Sequence, residues 1–234
     1  MRICYLGTEE RRQYLQGFAS LGTSVERLAD FVSKYERPIS IESMFEEYLS
    51  IPSTLEMVME AEKRGFDAVL TGCFGDPGVD AARELVRIPV IGPGEASLHT
   101  ACMLGDRFSI LTIMESTVRP TRHQVIRAGL LERLASIRSF EVPVVKVREG
   151  GDETYALLRE AAVKCLKEDG ADVLITGCAS VSHVYADRLQ QDLGVPVVNA
   201  LKLSVRVAEM LVGAGLTHSK IAFPLPPKLA AARV

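Results

Sequence analysis

Residues 65–73 read GFDAVLTGC, and residues 170–178 read GADVLITGC. The two stretches lie 105 positions apart, and five of their nine positions are identical. In each, a continuous apolar run ends in Thr-Gly-Cys, a pattern typical of a buried parallel strand that ends in a tight turn. Each cysteine is predicted to lead into a helix and then into a short Pro-Val strand. The sequence therefore predicts an internal duplication of a βαβ unit.

Outside the repeat, short apolar runs alternate with helical patterns. The pattern predicts strands at 3–6, 67–71, 88–91, 108–113, 142–147, 172–176 and 195–198, with one more near 25–32. It predicts helices at 9–21, 41–48, 54–63, 79–86, 119–134, 154–167, 183–193 and 204–211. This alternation indicates an α/β fold with mainly parallel sheets that are covered on both faces. The Pro-rich tail after Lys220 is expected on the surface.

The composition excludes several classes of protein. The chain has 234 residues, of which 47% are hydrophobic and 24% charged, so disorder, collagen and coiled coil are excluded as descriptions of the whole chain. A net charge of −3 predicts no nucleic-acid or membrane-surface partner. We expect a cytoplasmic protein, because no apolar run is long enough for a membrane span and the start lacks a signal-peptide pattern.

Two of the five cysteines have a position that suggests chemistry. Cys73 and Cys178 are predicted at the carboxyl ends of parallel strands, where α/β sheets bind ligands. A helix start beside each would lower the pKa of the thiol and hold an enolate oxygen. Two thiols facing one cleft suit the inversion of a carbon acid, since one removes a proton and the other delivers one to the opposite face. We expect Cys4, Cys102 and Cys165 to be inert packed thiols.

Other uses of these cysteines have less support. No Cys-x-x-Cys occurs, so the resolving partner of a redox pair is missing. The same absence, together with the lack of His-x-x-x-His, predicts no metal site. An odd number of scattered cysteines favours free thiols over a disulfide framework.

Residues 73–78, which read CFGDPG, closely resemble the first cysteine motif of hydantoin racemases, a branch of the aspartate/glutamate racemase superfamily. Residues 176–179, which read TGCA, resemble the second motif. The similarity continues at 40–43, 81–84, 91–96, 106–112, 208–211 and 215–220. It implies two αβα lobes related by a pseudo-twofold axis, with the active site between them. The first lobe would comprise 1–94 plus 200–234 and carry Cys73, and the second would comprise 95–199 and carry Cys178.

The resemblance also implies a function. The expected substrate is a cyclic ureide, either a 5-substituted hydantoin or allantoin, and the enzyme would need neither pyridoxal phosphate nor metal and would form a homo-oligomer. The catalytic residues would be Cys73 and Cys178. The residues expected to bind substrate are Gly7, Thr8, Phe74, Gly75, Asp76, Ser116, Thr117, Ala179 and Ser180.

Several of these polar residues also have a structural interpretation. Ser116 and Thr117 could cap a helix before Arg119, and Asp76 could cap the helix after Cys73. Ser180 could donate to the substrate or cap its own helix. His183 could tune the second thiol, but an exposed helix histidine is the commoner outcome. The charged cluster at 9–12 is most simply a solvated helix start.

The sequence departs from the family pattern in three places. Residues 7–9 read GTE where the family usually has Asn-Pro-Asn, residues 180–182 read SVS where it tends to have Gly-Met, and residues 199–200 read Asn-Ala in place of an Asp-Gly-like or Asp-Pro-like pair. The alternatives are therefore another superfamily enzyme or a non-catalytic ligand-binding homologue. The former could be an amino-acid racemase, an allantoin racemase, a maleate isomerase or a decarboxylase.

Overall fold

The computed structural model describes residues 1–231 and contains two four-stranded parallel sheets there. The first sheet comprises β1 (Arg2–Leu6), β2 (Ser24–Glu26), β3 (Ala68–Thr71) and β4 (Val90–Ile91). The second comprises β5 (Phe108–Thr112), β6 (Leu134–Ser139), β7 (Val173–Thr176) and β8 (Val197–Val198).

Helices connect the strands and cover both sheets. They are α1 (Glu9–Gln16), α2 (Met44–Lys63), α3 (Val79–Leu85), α4 (Pro93–Leu104), α5 (Glu115–Arg127), α6 (Val144–Glu149), α7 (Asp152–Lys167), α8 (Ala179–Val184), α9 (Ala186–Leu193), α10 (Ala200–Gly213) and α11 (Pro227–Ala231). None of the helices described is long and apolar enough to cross a membrane.

The two sheets repeat one topology. Their strand orders are β2-β1-β3-β4 and β6-β5-β7-β8, so each strand of the first sheet has a counterpart in the second. The register repeats as well, because Leu6 lies opposite Thr71 in the first sheet and Leu111 opposite Thr176 in the second. Both pairs are separated by the same 105 positions as the sequence repeat. The α/β fold with mainly parallel sheets is thus confirmed.

Both faces of each sheet carry an apolar cluster, which explains the continuous apolar strands. Helix α10 packs on β3 and β4, α4 packs on β7 and β8, and these two helices also pack on each other. Helix α10, from the end of the chain, thus covers the first sheet, and α4 covers the second. We therefore propose a division of the chain into a first lobe of residues 1–94 plus 200–234 and a second lobe of residues 95–199. Residues 232–234 of that division lie outside the described part.

The glycines of the two Thr-Gly-Cys turns are required by close backbone approach. A Cβ on Gly72 would lie 2.5 Å from the carbonyl oxygen of Leu6, at the end of β1. A Cβ on Gly177 would lie 3.0 Å from the carbonyl oxygen of Leu111, at the corresponding point of β5, and 2.7 Å from a methyl carbon of Ile110. Each turn therefore crosses close over the neighbouring strand, and this holds the following cysteine at the sheet edge.

Two predicted elements are wrong. Residues 142–147 form no strand, since they contribute most of helix α6, where Val144 and Val147 are buried three positions apart on one face. The edge strand that pairs with β5 is instead β6. It begins at residue 134, the last residue of the predicted helix 119–134, and continues to residue 139. Strand β6 is a half-buried edge strand with little apolar signal, and residues 142–147 resemble a buried strand in composition alone.

A third difference concerns Pro52, which lies in the predicted gap between two separate helices. The structure has one continuous helix, α2, with Pro52 inside it. Proline removes one backbone donor from the helical ladder. The hydroxyls of Ser50 and Thr54 donate to the backbone carbonyls of Glu47 and Ser50, in the helical turns on either side of the proline.

Candidate active site

A cavity of about 330 Å³ lies where the carboxyl ends of the two sheets meet. Its walls include the residues that directly follow β1, β3, β5 and β7. Cys73 and Cys178 both line this cavity, one from each sheet. The parallel direction of all the strands brings these turns together, as expected for ligand sites of α/β sheets.

The two cysteines lead into different local structures. Cys178 is the N-cap residue of α8, as predicted. Cys73 is not at a helix start, because α3 begins only at Val79 and a five-residue turn intervenes. In that turn Asp76 and Gly78 have φ angles of 54° and 73°, which delay the helix.

The pKa of Cys73 also differs from the expectation. Burial raises the pKa of its thiol to about 12, and the backbone N–H of Gly75, which favours the thiolate, does not offset that effect. The prediction of a lowered pKa is therefore wrong for this cysteine, because it lacks a helix start and the surrounding protein desolvates its thiol. In the ligand-free protein Cys73 holds its proton at neutral pH.

Most of the residues expected to bind substrate surround the cavity, and their roles in binding stay predictions. Those that line it are Gly7, Thr8, Phe74, Gly75, Thr117, Ala179 and Ser180. The side chain of Thr8 also caps α1, by accepting from the backbone N–H of Arg11. The hydroxyl oxygen of Thr117 lies 2.6 Å from that of Thr112, which orients it at the cavity wall.

Two of the expected residues do not line the cavity. Asp76 caps α4, since its carboxylate accepts from the backbone N–H groups of Gly94 and Glu95 at 3.0 and 2.6 Å. It also accepts from the side-chain amide of Gln124 at 3.0 Å. The expectation that it caps the helix after Cys73 is wrong, because the left-handed turn aims it at a helix 17 positions further along. Burial raises the pKa of Asp76 to about 7, against these N–H groups.

Ser116 is the second residue outside the wall. Its hydroxyl donates to the backbone carbonyl of Glu42 at 2.6 Å, and so ties the start of α5 to the segment that precedes α2. Because α5 starts at Glu115 rather than Arg119, Ser116 lies inside the first helical turn. Its contact is therefore with the protein rather than with the cavity.

The positions that depart from the family pattern fall in two groups. Gly7, Thr8 and Ser180 line the cavity, so these changes alter its wall. Asn199 lies outside the wall, where it caps α10 and donates to the Tyr14 hydroxyl at 2.9 Å. His183 also lies outside, with its ring edge-on to Tyr14 at 4.7 Å, and burial lowers its pKa.

The cavity wall also contains charged residues that no sequence pattern predicted: Arg11, Arg27, Arg37, Arg148 and Glu47. Arg11 belongs to the cluster expected to be a solvated helix start, yet it is buried and its Nη2 donates to the Ser180 hydroxyl at 2.6 Å. Glu47 lies beside Gly75, and burial raises the pKa of its carboxyl. No local pattern marks these residues, because they reach the cavity from α1, α2, α6 and the loop before α2.

Within residues 1–231, no group of three or more His, Cys, Asp or Glu side chains is arranged to hold a metal ion. All five cysteines are free, and Cys4 and Cys165 are buried. The groups at the cavity that can transfer protons are thus Cys73, Cys178 and the carboxyl of Glu47.

A sequence profile described as Asp/Glu/Hydantoin racemase matches residues 19–208. The chain belongs to this family. It is accordingly an isomerase of the racemase class, and the resemblance noted at 73–78 is confirmed. The hydantoin racemase of Pseudomonas sp. (strain NS671) is 36% identical over 190 residues, which cover 81% of this chain and 76% of that protein. The hydantoin racemase of Paenarthrobacter aurescens is 38% identical over 185 residues, 78% of either chain.

The fold of a solved racemase agrees with this assignment. Allantoin racemase from Klebsiella pneumoniae superposes with a TM-score of 0.87 at 30% identity, and the match covers 97% of this chain and 94% of that one. Relatives named for hydantoin and for allantoin are therefore both similar to this chain over most of its length.

Proposed function

We propose that this protein racemises 5-substituted hydantoins or related cyclic ureides, with Cys73 and Cys178 as the two acid–base groups. The observation that carries the proposal is that both sulfur-bearing residues line one cavity from opposite sheets. The cavity volume of about 330 Å³ suits a small ring with one substituent. The names of the relatives supply the substrate class.

The proposed reaction is a transfer of one proton across the ring. One cysteine, as the thiolate, takes the proton from the carbon that bears the substituent, and the electron pair of that C–H bond moves into the adjacent carbonyl to form an enolate. The other cysteine, as the thiol, gives its proton to the opposite face of the same carbon while the enolate collapses. For the other enantiomer the two cysteines exchange roles, so the protein ends each turnover with its proton on the other sulfur.

The protonation of Cys73 supports the part of the acid in this scheme. Because burial raises the pKa of Cys73, this cysteine is the thiol of the ligand-free protein and acts as the acid for the enantiomer that binds that form. Ala179 and Ser180, the first residues of α8 after the N-cap Cys178, line the cavity, and we assign their backbone N–H groups to a developing enolate.

The remaining expectations are part of the same proposal. Acid and base are both supplied by thiols, so the reaction requires neither pyridoxal phosphate nor a metal ion. The substrate is the partner that the site recognises; the homo-oligomer, the cytoplasmic location and the lack of nucleic-acid and membrane partners stay predictions.

The test is polarimetry combined with proton NMR in deuterium oxide, on purified protein without added cofactor. The substrates are a small panel of hydantoins, allantoin and free amino acids. We expect loss of optical rotation for a cyclic ureide, with deuterium appearing at the inverted carbon. Racemisation of free amino acids alone would replace the cyclic ureide by an amino-acid substrate. Binding without exchange of any substrate proton would contradict catalysis.

A further inference from the structure

The cavity wall contains an unusual amount of positive charge. Arg11 and Arg148 lie on the side of Cys178, since Arg11 bonds Ser180 and the charges of Arg11 and Cys178 both act on Arg148. Arg27 and Arg37 come from the loop between β2 and α2 and also line the cavity, where the charge of Cys73 acts on Arg37. Racemisation of a neutral ring does not by itself require four guanidinium groups.

The protein does not neutralise most of this charge. Within the described residues, no carboxylate oxygen lies within 4.0 Å of the guanidinium of Arg11, Arg37 or Arg148, and Arg27 has only Glu9, at 3.8 Å. The acidic residue in the wall, Glu47, lies on the Cys73 side, beside Gly75. Burial raises the pKa of its carboxyl, which favours the uncharged form.

One further acid is close enough to influence Arg148, namely Glu10. Its side chain is 77% exposed and lies 3.8 Å from His183, outside the cavity wall. Water screens such an exposed charge strongly, so it does not neutralise the arginines on the cavity side.

The arginines also have hydrogen-bond donors to spare. A guanidinium offers five N–H donors. Arg11 is 7% exposed, and its Nη2 donates to Ser180. It also lies beside the buried Tyr5 hydroxyl, whose pKa a hydrogen bond from Arg11 lowers against the larger effect of burial. These two acceptors do not use all five donors of Arg11. Arg148 is an exposed residue of the cavity wall, and its Nη2 donates to the backbone carbonyl of Ile39 at 3.0 Å. Its other donors have no acceptor within residues 1–231.

The two arginines bring like charges to one cavity. Partial burial of Arg148, which stays an exposed residue, and the charge of Arg11 both lower the pKa of Arg148. An anion between the two groups would remove the repulsion and use the spare donors. Paired planar guanidinium groups match a carboxylate better than they match any neutral group.

We propose that Arg11 and Arg148 form an anion subsite of the cavity, and that the substituent on the substrate ring ends in a carboxylate. This inference rests on the proposed function, because it places the ring between the two cysteines and the carboxylate against the arginines. The substrate class is therefore a hydantoin with a short acidic side chain, such as hydantoin-5-acetate or hydantoin-5-propionate.

The experiment compares each acid with its carboxamide, which has nearly the same shape without the charge. We measure kcat and KM by polarimetry, and Kd by calorimetry, for the wild type and three variants. Arg148→Gln removes the charge, Arg148→Lys keeps the charge without the planar fork, and Arg159→Gln makes the same charge change on the exposed face of α7, away from the cavity.

We expect the wild type to prefer the acid over the amide. In Arg148→Gln the ratio of kcat/KM for acid over amide falls about ten- to hundredfold, through KM, as for the loss of a hydrogen bond between charged groups. The acid-to-amide ratio of Arg148→Lys lies between those of the wild type and Arg148→Gln. Arg159→Gln leaves the ratio within about twofold of the wild-type value.

Two results would overturn the subsite. One is a wild type that prefers the amide, and the other is an Arg148→Gln variant whose acid-to-amide ratio is unchanged, including a loss of kcat shared equally by both substrates. A loss of kcat shared equally by both substrates would instead indicate that Arg148 stabilises the enolate. If no hydantoin is racemised at all, the proposed function fails, and the Kd ratio of acid to amide then decides the subsite by the same criterion.

Discussion

The turn around Cys73 and the turn around Cys178 begin from the same sequence and end in different environments. Both follow a Thr-Gly pair at the end of a buried strand, and both glycines lie close against a neighbouring backbone carbonyl. Beyond the cysteine, the second turn enters a helix at once, while the first makes a left-handed excursion through Asp76. The repeat thus positions two thiols alike, while the residues after each repeat set their surroundings.

The difference extends to the charges. Glu47 lies near Cys73, and burial raises the pKa of that thiol. Arg11 and Arg148 lie near Cys178, and one arginine of the wall, Arg37, is acted on by the charge of Cys73. A pseudo-symmetric pair of thiols therefore occupies an electrostatically asymmetric cavity. This asymmetry suits a substrate that is itself asymmetric about the inverted carbon.

The largest expected effect tests whether both thiols are needed. Cys73→Ala and Cys178→Ala should each lower the rate of racemisation by about 10²–10⁴-fold, because each removes the thiol that serves one face of the substrate in the proposed scheme. Each variant should still exchange the substrate proton of one enantiomer, and the two variants should choose opposite enantiomers. Proton NMR in deuterium oxide on the separate enantiomers measures this.

Cys102→Ala, at a half-buried cysteine of α4 outside the cavity wall, is the matched control and should keep full activity. A cavity-lining variant that racemises at the wild-type rate would break the two-thiol scheme. Exchange of the same enantiomer by both variants would do so too.

A smaller effect tests the shared geometry of the turns. Gly72→Ala and Gly177→Ala should each lower the free energy of unfolding by about 1–3 kcal/mol, since the new methyl group overlaps neighbouring atoms. The loss of stability should be greater at Gly72. There the new Cβ would lie 2.5 Å from a backbone carbonyl oxygen, and no change of side-chain rotamer can relieve that overlap. Urea denaturation followed by circular dichroism provides both values.

The control for these variants is Gly213→Ala, at the end of α10, where a new Cβ meets nothing within 4 Å. It should be neutral or stabilising by up to about 1 kcal/mol. Equal stability of Gly72→Ala and wild type would show that the first turn is looser than the structure indicates.

The third prediction concerns the part of the first turn without a counterpart. The position 105 residues after Asp76 is Val181, which is buried in the apolar core. Asp76→Ala should cost about 1–2 kcal/mol of unfolding free energy through loss of the α4 cap, and Asp76→Asn, which keeps an acceptor, should cost less. Thermal denaturation of Asp76→Ala and Asp76→Asn measures both losses of stability. Equal losses in the two variants would argue against a capping role of the Asp76 side chain.

The smallest effect is the pH profile. The acid of the proposed scheme must be protonated, and a raised pKa at Cys73 keeps it protonated to higher pH than an ordinary thiol with a pKa near ~8.5. We expect kcat/KM to fall by less than about twofold between pH 8 and 10, after subtraction of uncatalysed racemisation. A steep decline from pH 8.5 that is absent for the ionisation of the substrate alone would show that the acid has an ordinary thiol pKa in the free enzyme.

The fold was predictable as far as it depended on buried strands. The central strands are continuous apolar runs, and they lie where the pattern placed them. Strand β6 could not be predicted in this way, because a half-buried edge strand is held by its backbone pairing with β5 rather than by an apolar pattern. The prediction of a strand at residues 142–147 was wrong for the opposite reason, since an apolar run of six residues fits a buried strand and a short helix equally well.

The site was predictable where function follows a strand end. Cys73, Cys178 and the residues directly beside them belong to that class. Asp76 and Ser116 were assigned by proximity in sequence, yet their contacts are with α4 and with Glu42. Such contacts depend on distances between segments that the chain brings together only on folding.

The sequence by itself determined the duplication, the α/β class, the family and the edge at which both cysteines lie, because strand patterns and tight turns are local. Only the tertiary structure decided which charges surround them. Arg11, Arg148 and Glu47 come from three helices far apart in the chain, and a charged side chain carries no local mark of the cavity that it will face. Burial, which sets the pKa of Cys73, is likewise a property of the assembled fold.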